Sequence, residues 1–100
     1  MNRPYYSEYV KHALRFYTRN VHPVPAFKSE ADKNNWHSCA ITLKGCSDLQ
    51  RNIIVDVYSG RDTLADNVYT ASVKYNIHQS VIWDLMKVVE RKVAKRRGLL

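Results

Sequence analysis

Apolar residues recur at intervals of three and four along most of this 100-residue chain, the spacing of helices that bury one face. Between Tyr5 and Tyr17, the residues Tyr6, Tyr9, Val10, Ala13, Leu14, Phe16 and Tyr17 share such a face and predict a first helix. The stretch VHPVPAF at 21–27 carries two prolines. Each removes a backbone donor and disfavours helix in the residue before it, so a connector is expected there. Ser29 with Asp32 resembles a capping box with the shorter acid, and Trp36, Cys39, Ala40 and Leu43 give a second helix that stops before Gly45. Ser47 with Gln50 is a fuller capping box, opening a third helix whose face is Leu49, Ile53, Ile54 and Val57 and whose end is Gly60. Thr63 with Asp66 repeats the start signal, and Leu64, Val68, Ala71 and Tyr75 share a face up to Asn76. A fifth helix begins near His78. Its residues Val81, Ile82, Leu85, Val88, Val89 and Val93 keep helical spacing to Gly98, which makes it the longest. The run IIVDVY alternates briefly, but its flanking caps favour helix. The expectation is an all-α fold of five helices in one domain spanning 1–100, with no internal repeat.

The segment from Val68 to Lys87 also fits the position pattern of a helix-turn-helix. With Ser72 as the small residue at the crossing, Ala71 and Tyr75 pack inward, Asn76 takes the turn, Ile77 plugs the core, and Ile82 and Leu85 anchor the second helix. Such a turn needs a residue that tolerates a left-handed backbone, usually Gly, with Asn the next most tolerant. A helix-turn-helix at about 63–97 is therefore expected.

Charge adds to this picture through its distribution. The chain has 16 Lys and Arg against 9 Asp and Glu, a formal net charge of +7, which attracts polyanions. Lys87, Arg91, Lys92, Lys95, Arg96 and Arg97 crowd the last turns against Asp84 and Glu90, and Arg3, Lys11, Arg15 and Arg19 lie in the first twenty residues against Glu8. The opening MNRPYYSEYVKH lacks an apolar signal core, and no apolar run approaches membrane-spanning length, so a cytoplasmic protein without a membrane partner is expected. Cys39 and Cys46 are too few for a disulfide framework and should stay thiols. His37, Cys39 and Cys46 are residue types that zinc accepts, but on a helix His37 and Cys39 project about 200° apart, so no metal site is assigned. No phosphate-binding glycine loop, paired carboxylates or nucleophile elbow appears, and no enzyme, catalytic residue or cofactor is expected.

From Ser47, SDLQRNIIVDVYSG and then LADNVYTASVKYNIHQSVIWDLMKVVERKVAKRRGL resemble the fourth region of RNA polymerase sigma factors and related phage and mobile-element activators, over about residues 47–98. In that family a capped helix ending in an aromatic and a glycine precedes the helix-turn-helix, and Tyr58 and Gly60 stand in those places. The chain differs in a longer connector, SGRDTLADN, in His78 where a capping Ser is typical, and in Trp83 and Asp84 where polar or basic residues commonly face the groove. The resemblance implies a stand-alone transcriptional regulator that binds double-stranded DNA beside RNA polymerase.

If the motif holds, His78, Gln79, Ser80, Trp83, Asp84 and Lys87 are the base-reading candidates, because the first turns of a recognition helix meet base edges in the major groove. Gln79 suits adenine, Asp84 a cytosine amino group, and Lys87 a guanine or a phosphate. Arg91, Lys92, Lys95, Arg96 and Arg97 are the phosphate-contact candidates. A single short helix reads few base pairs, which argues for a homodimer on DNA, whereas the family resemblance implies a monomer. Two rival readings stay open: a helical protein-interaction module using Trp83 and Tyr69, and a nonspecific nucleic-acid binder. The aromatic cluster Tyr5, Tyr6, Tyr9, Phe16 and Tyr17 is expected to be buried against Trp36 or a partner subunit.

Overall fold

A computed structural model describes residues 4–100, and every described regular element is a helix. They are α1 (Ser7–Arg19), α2 (Glu30–Lys44), α3 (Asp48–Ser59), α4 (Leu64–Tyr75) and α5 (Gln79–Arg96). The all-α, five-helix expectation holds. Arg3, placed in the amino-terminal basic group, lies outside the described residues.

The start signals read from the sequence operate as expected. Ser29 accepts from the Asp32 N–H and Thr63 from the Asp66 N–H. At α3, Ser47 accepts from the Gln50 N–H while the Gln50 side chain accepts from the Ser47 N–H, a complete capping box. α1 packs on α2, α3 and α5, while α4 packs on α3 and α5. The core between them holds Val10, Leu14, Leu43, Ile54, Val57, Tyr58, Val68, Ile82, Val89 and Val93, all at or near zero exposure.

Two helix ends rely on arginines from elsewhere in the chain. Arg51 donates to the Leu43 and Cys46 carbonyls at 3.1 and 2.9 Å, satisfying the end of α2. Arg15 and Arg19 of α1 both donate to the Gly60 carbonyl just beyond α3, at 3.3 and 3.0 Å. Gly60 is also hemmed in from the other side. A Cβ there would sit 2.5 Å from the Asn67 amide, which is buried and donates to the Val57 and Asp62 carbonyls at 2.9 and 3.2 Å.

Between α4 and α5 the chain turns at Asn76, whose φ of 53° and ψ of 51° are left-handed. The Ile77 N–H reaches back to the Ser72 carbonyl at 3.0 Å, a bond that closes the end of α4. Asp56 of α3 holds the same end, accepting from Lys74 Nζ at 2.8 Å and from the Tyr75 hydroxyl at 2.5 Å. Ile77 then packs against the core and His78 caps α5.

The apolar face of α5 differs from the expected one. Its buried stripe is Ile82, Met86, Val89 and Val93, whereas Val81 and Val88 are exposed. Both sets keep helical spacing, and packing chooses between them. Leu49 of α3 and Tyr5 and Tyr9 near the start of the chain are likewise exposed, so the aromatic cluster divides: Tyr6 and Tyr17 are buried, and Tyr17 meets Trp36 edge to face with centroids 5.1 Å apart.

Replacing Asn76 with Val should lower stability by about 1–2 kcal/mol in denaturant titration, since a β-branched residue resists the left-handed region, while Asn76→Gly should leave it nearly unchanged. Gly60→Ala should cost about 1–3 kcal/mol, because Asn67 cannot withdraw without abandoning two carbonyls. A wild-type unfolding midpoint for Gly60→Ala would show that the Asn67 contact is not fixed.

Candidate nucleic-acid interface

At the helical repeat of 100° per residue, Ser80, Asp84, Lys87, Arg91 and Lys95 fall within an arc of about 80° on the outward side of α5. All five are exposed. Gln79 is exposed at the first turn. His78 and Ser80 are occupied with each other: the His78 Nδ1 accepts from the Ser80 N–H at 3.1 Å and lies 2.8 Å from its hydroxyl. The imidazole thus does the work of the capping side chain usual at that place. Trp83 is half-buried, with its ring against the core cluster.

The five carboxyl-terminal cations among the candidates separate into groups. Arg91 follows Lys87 by one turn on the side facing α1. Lys92, Lys95 and Arg96 line a shallow groove of about 440 Å³ beside Ile41 and Gly45 at the end of α2. Arg97 is committed elsewhere: its Nε donates to Asn35 Oδ1 at 2.5 Å and an outer nitrogen lies 3.4 Å from the Tyr9 hydroxyl. That guanidinium, with the Asn35 amide, holds the Tyr9 hydroxyl below its ordinary value of 10.0. Arg97 therefore joins the carboxyl end of α5 to α1 and α2.

A cleft of about 820 Å³ lies on the Trp83 side of α5, walled by α1 and the start of α4. Tyr6, Leu64, Trp83 and Met86 supply apolar lining, and Lys11, Arg15, Lys87 and Arg91 supply charge. Glu90 lies at its base, 7% exposed, accepting from Ser7 at 3.3 Å, from Lys11 at 3.4 Å and, at close range, from the Tyr58 hydroxyl. This network was missed from the sequence. The signal was present, since Glu90 follows Met86 by four positions and precedes Val93 by three, which places it on the buried face.

The remaining candidate chemistry stays scattered. Cys39 and Cys46 are free, and burial pushes the Cys39 thiol up to about 12. His37 is exposed and rests against Phe27 and Trp36. Among the described residues no three His, Cys, Asp or Glu side chains are grouped to hold a metal, and no helix is long and apolar enough to cross a membrane.

No protein-family model, curated protein or solved structure matches the chain, so any functional reading rests on these residues.

Burial, and then the Glu90 charge, raise the Tyr58 hydroxyl far above its ordinary 10.0. A group raised in the folded state contributes stability that is complete below the unfolded value and is lost as pH climbs above it. The protein should therefore lose stability on the alkaline side, from about pH 9 through the buried Cys39 thiol and more steeply from about pH 10 as Tyr58 adds its share. Tyr58→Phe should cost roughly 1.5–3 kcal/mol at neutral pH, from the lost bond to a charged group, and should flatten that alkaline decline. Parallel pH profiles for the two chains in thermal melts would exclude Tyr58 as the group responsible.

Proposed function

We propose that this chain binds double-stranded DNA and regulates transcription, with α4, the Asn76 turn and α5 acting as a helix-turn-helix and α5 entering the major groove. The observation that carries the reading is the division of charge along α5. Its first eight residues, Gln79 to Met86, expose Gln79, Ser80, Val81 and Asp84 and hold no cation. Its remaining ten residues expose Lys87, Arg91, Lys92, Lys95 and Arg96, and the one acid there, Glu90, is buried and paired with Lys11. Recognition helices place base-reading side chains in their first turns, and phosphates are met by cations further along.

In this reading Gln79, Asp84 and Lys87 are the readers and Arg91, Lys92, Lys95 and Arg96 the phosphate contacts. His78 serves the cap that orients Gln79, Trp83 supports the helix from its cleft side, and Arg97 is structural. The resemblance to sigma-factor region four points to RNA polymerase as a neighbouring protein. A second reading, a protein-contact module, is favoured by Tyr69 and Val73, which are 59% and 66% exposed one turn apart on α4.

Competition binding of genomic fragments against random duplex tests the proposal. Gln79→Ala should cost roughly 1–3 kcal/mol on the selected sequence and little on random DNA. Arg91→Ala and Lys95→Ala should weaken both alike, each flattening the slope of log affinity against log salt by about 0.9. Equal losses on both DNAs for Gln79→Ala would leave a nonspecific polyanion binder. Absence of binding at low salt would favour the protein-contact module.

A further inference from the structure

The cleft beside α5 has the chemistry of a ligand site in its own right, and we propose that it binds a nucleoside monophosphate unit. Its volume of about 820 Å³ falls within the range of small-molecule sites. Its accessible lining combines the half-buried Trp83 and Leu64 with the exposed Pro4 and Ala65, an apolar surface for a flat ring, while Tyr6 and Met86 lie buried beneath it.

The cations are not equivalent. Lys11 is paired with Glu90 at 3.4 Å, and Arg15 donates to the Gly60 carbonyl at 3.3 Å. Lys87 and Arg91 line the same cleft, are exposed, and pair with no described carboxylate. Two unpaired cations complement one phosphate monoester dianion, and the arginine fork adds bidentate geometry. Spacing joins the two halves. Trp83, Lys87 and Arg91 are four residues apart, so each step rises about 6 Å along α5. A ring stacked on Trp83 therefore has cationic nitrogens one and two turns away, with a sugar to bridge the interval. An aliphatic anion would satisfy the charges but leave the indole face without a ring, and inorganic phosphate would leave the apolar lining uncovered.

The proposal is independent of duplex binding, because its experiment contains no duplex. Adenosine monophosphate is titrated into the full chain and followed through the two tryptophan indole N–H resonances. The Trp83 signal should shift saturably, while that of Trp36, whose N–H is held by the Asn20 carbonyl at 3.0 Å, should stay in place. Arg91→Glu, a change at an exposed position, should weaken binding by about tenfold or more, the scale of a lost bond to a charged group. Lys33→Glu, the same charge change at an exposed position on α2 away from the cleft, should leave binding as it was. A short single-stranded oligoadenylate distinguishes the sources. Tighter binding than the monophosphate assigns the site to an unpaired nucleotide of a strand, and equal or weaker binding assigns it to the free nucleotide. The proposal is overturned if the Trp83 resonance does not move, if Arg91→Glu and Lys33→Glu weaken binding equally, or if inorganic phosphate or decanoate binds as tightly as the monophosphate.

Discussion

The Glu90 carboxylate, held below the surface of α5, constrains where three of the five helices can lie. A carboxylate removed from water is tolerable only when its oxygens are satisfied, and breaking such a group from its partners costs about 3–5 kcal/mol. The partners here come from separate elements: Ser7 and Lys11 from α1 and Tyr58 from α3. α1 must therefore approach α5 closely enough for a lysine to reach inward, and α3 must present its last aromatic to the same point. That approach builds one wall of the cleft. It also fixes which side of α5 turns outward, because the residue four positions after Lys87 and one after Glu90 is Arg91. The exposed cationic stripe is thus set by a buried anion.

Local backbone chemistry explains most of what is legible in the sequence. Ser29, Ser47 and Thr63 each announce a helix start, because a hydroxyl three residues ahead of an unsatisfied N–H leaves few other partners. Asn76 announces the turn, because few other side chains accept φ near +60°. His78 as a cap was visible only as an oddity of position; its Nδ1 accepts as a serine oxygen would.

What stayed hidden depends on partners distant in sequence. Along α5 the sets Val81, Leu85, Val88 and Ile82, Met86, Val89, Val93 both satisfy helical spacing, and only the placement of the four other helices decides between them. Arg15, Arg19 and Arg97 read as surface charge and Arg51 carries no sequence signal, yet each is held by a carbonyl or an amide, with separations of up to 62 residues. Net charge overstates the cations available to a polyanion, since these four are engaged and Lys11 is matched by Glu90. The candidate site was legible as a stretch of α5, but the cleft was not, because α1 and the start of α4 supply two of its sides.

The same helix carries the proposed duplex surface and the proposed nucleotide site, and the two meet at Lys87 and Arg91. A phosphate held in the cleft by those side chains would compensate the charges that a duplex backbone would otherwise neutralise. Each phosphate contact forgone also forgoes the release of a condensed counterion, which is where much of the affinity for DNA arises. Gln79 and Asp84 do not line the cleft, although Trp83 beside Asp84 does. Occupancy of the cleft would therefore act on affinity through Arg91 and on sequence preference through Lys87 alone, leaving the reading by Gln79 and Asp84 in place.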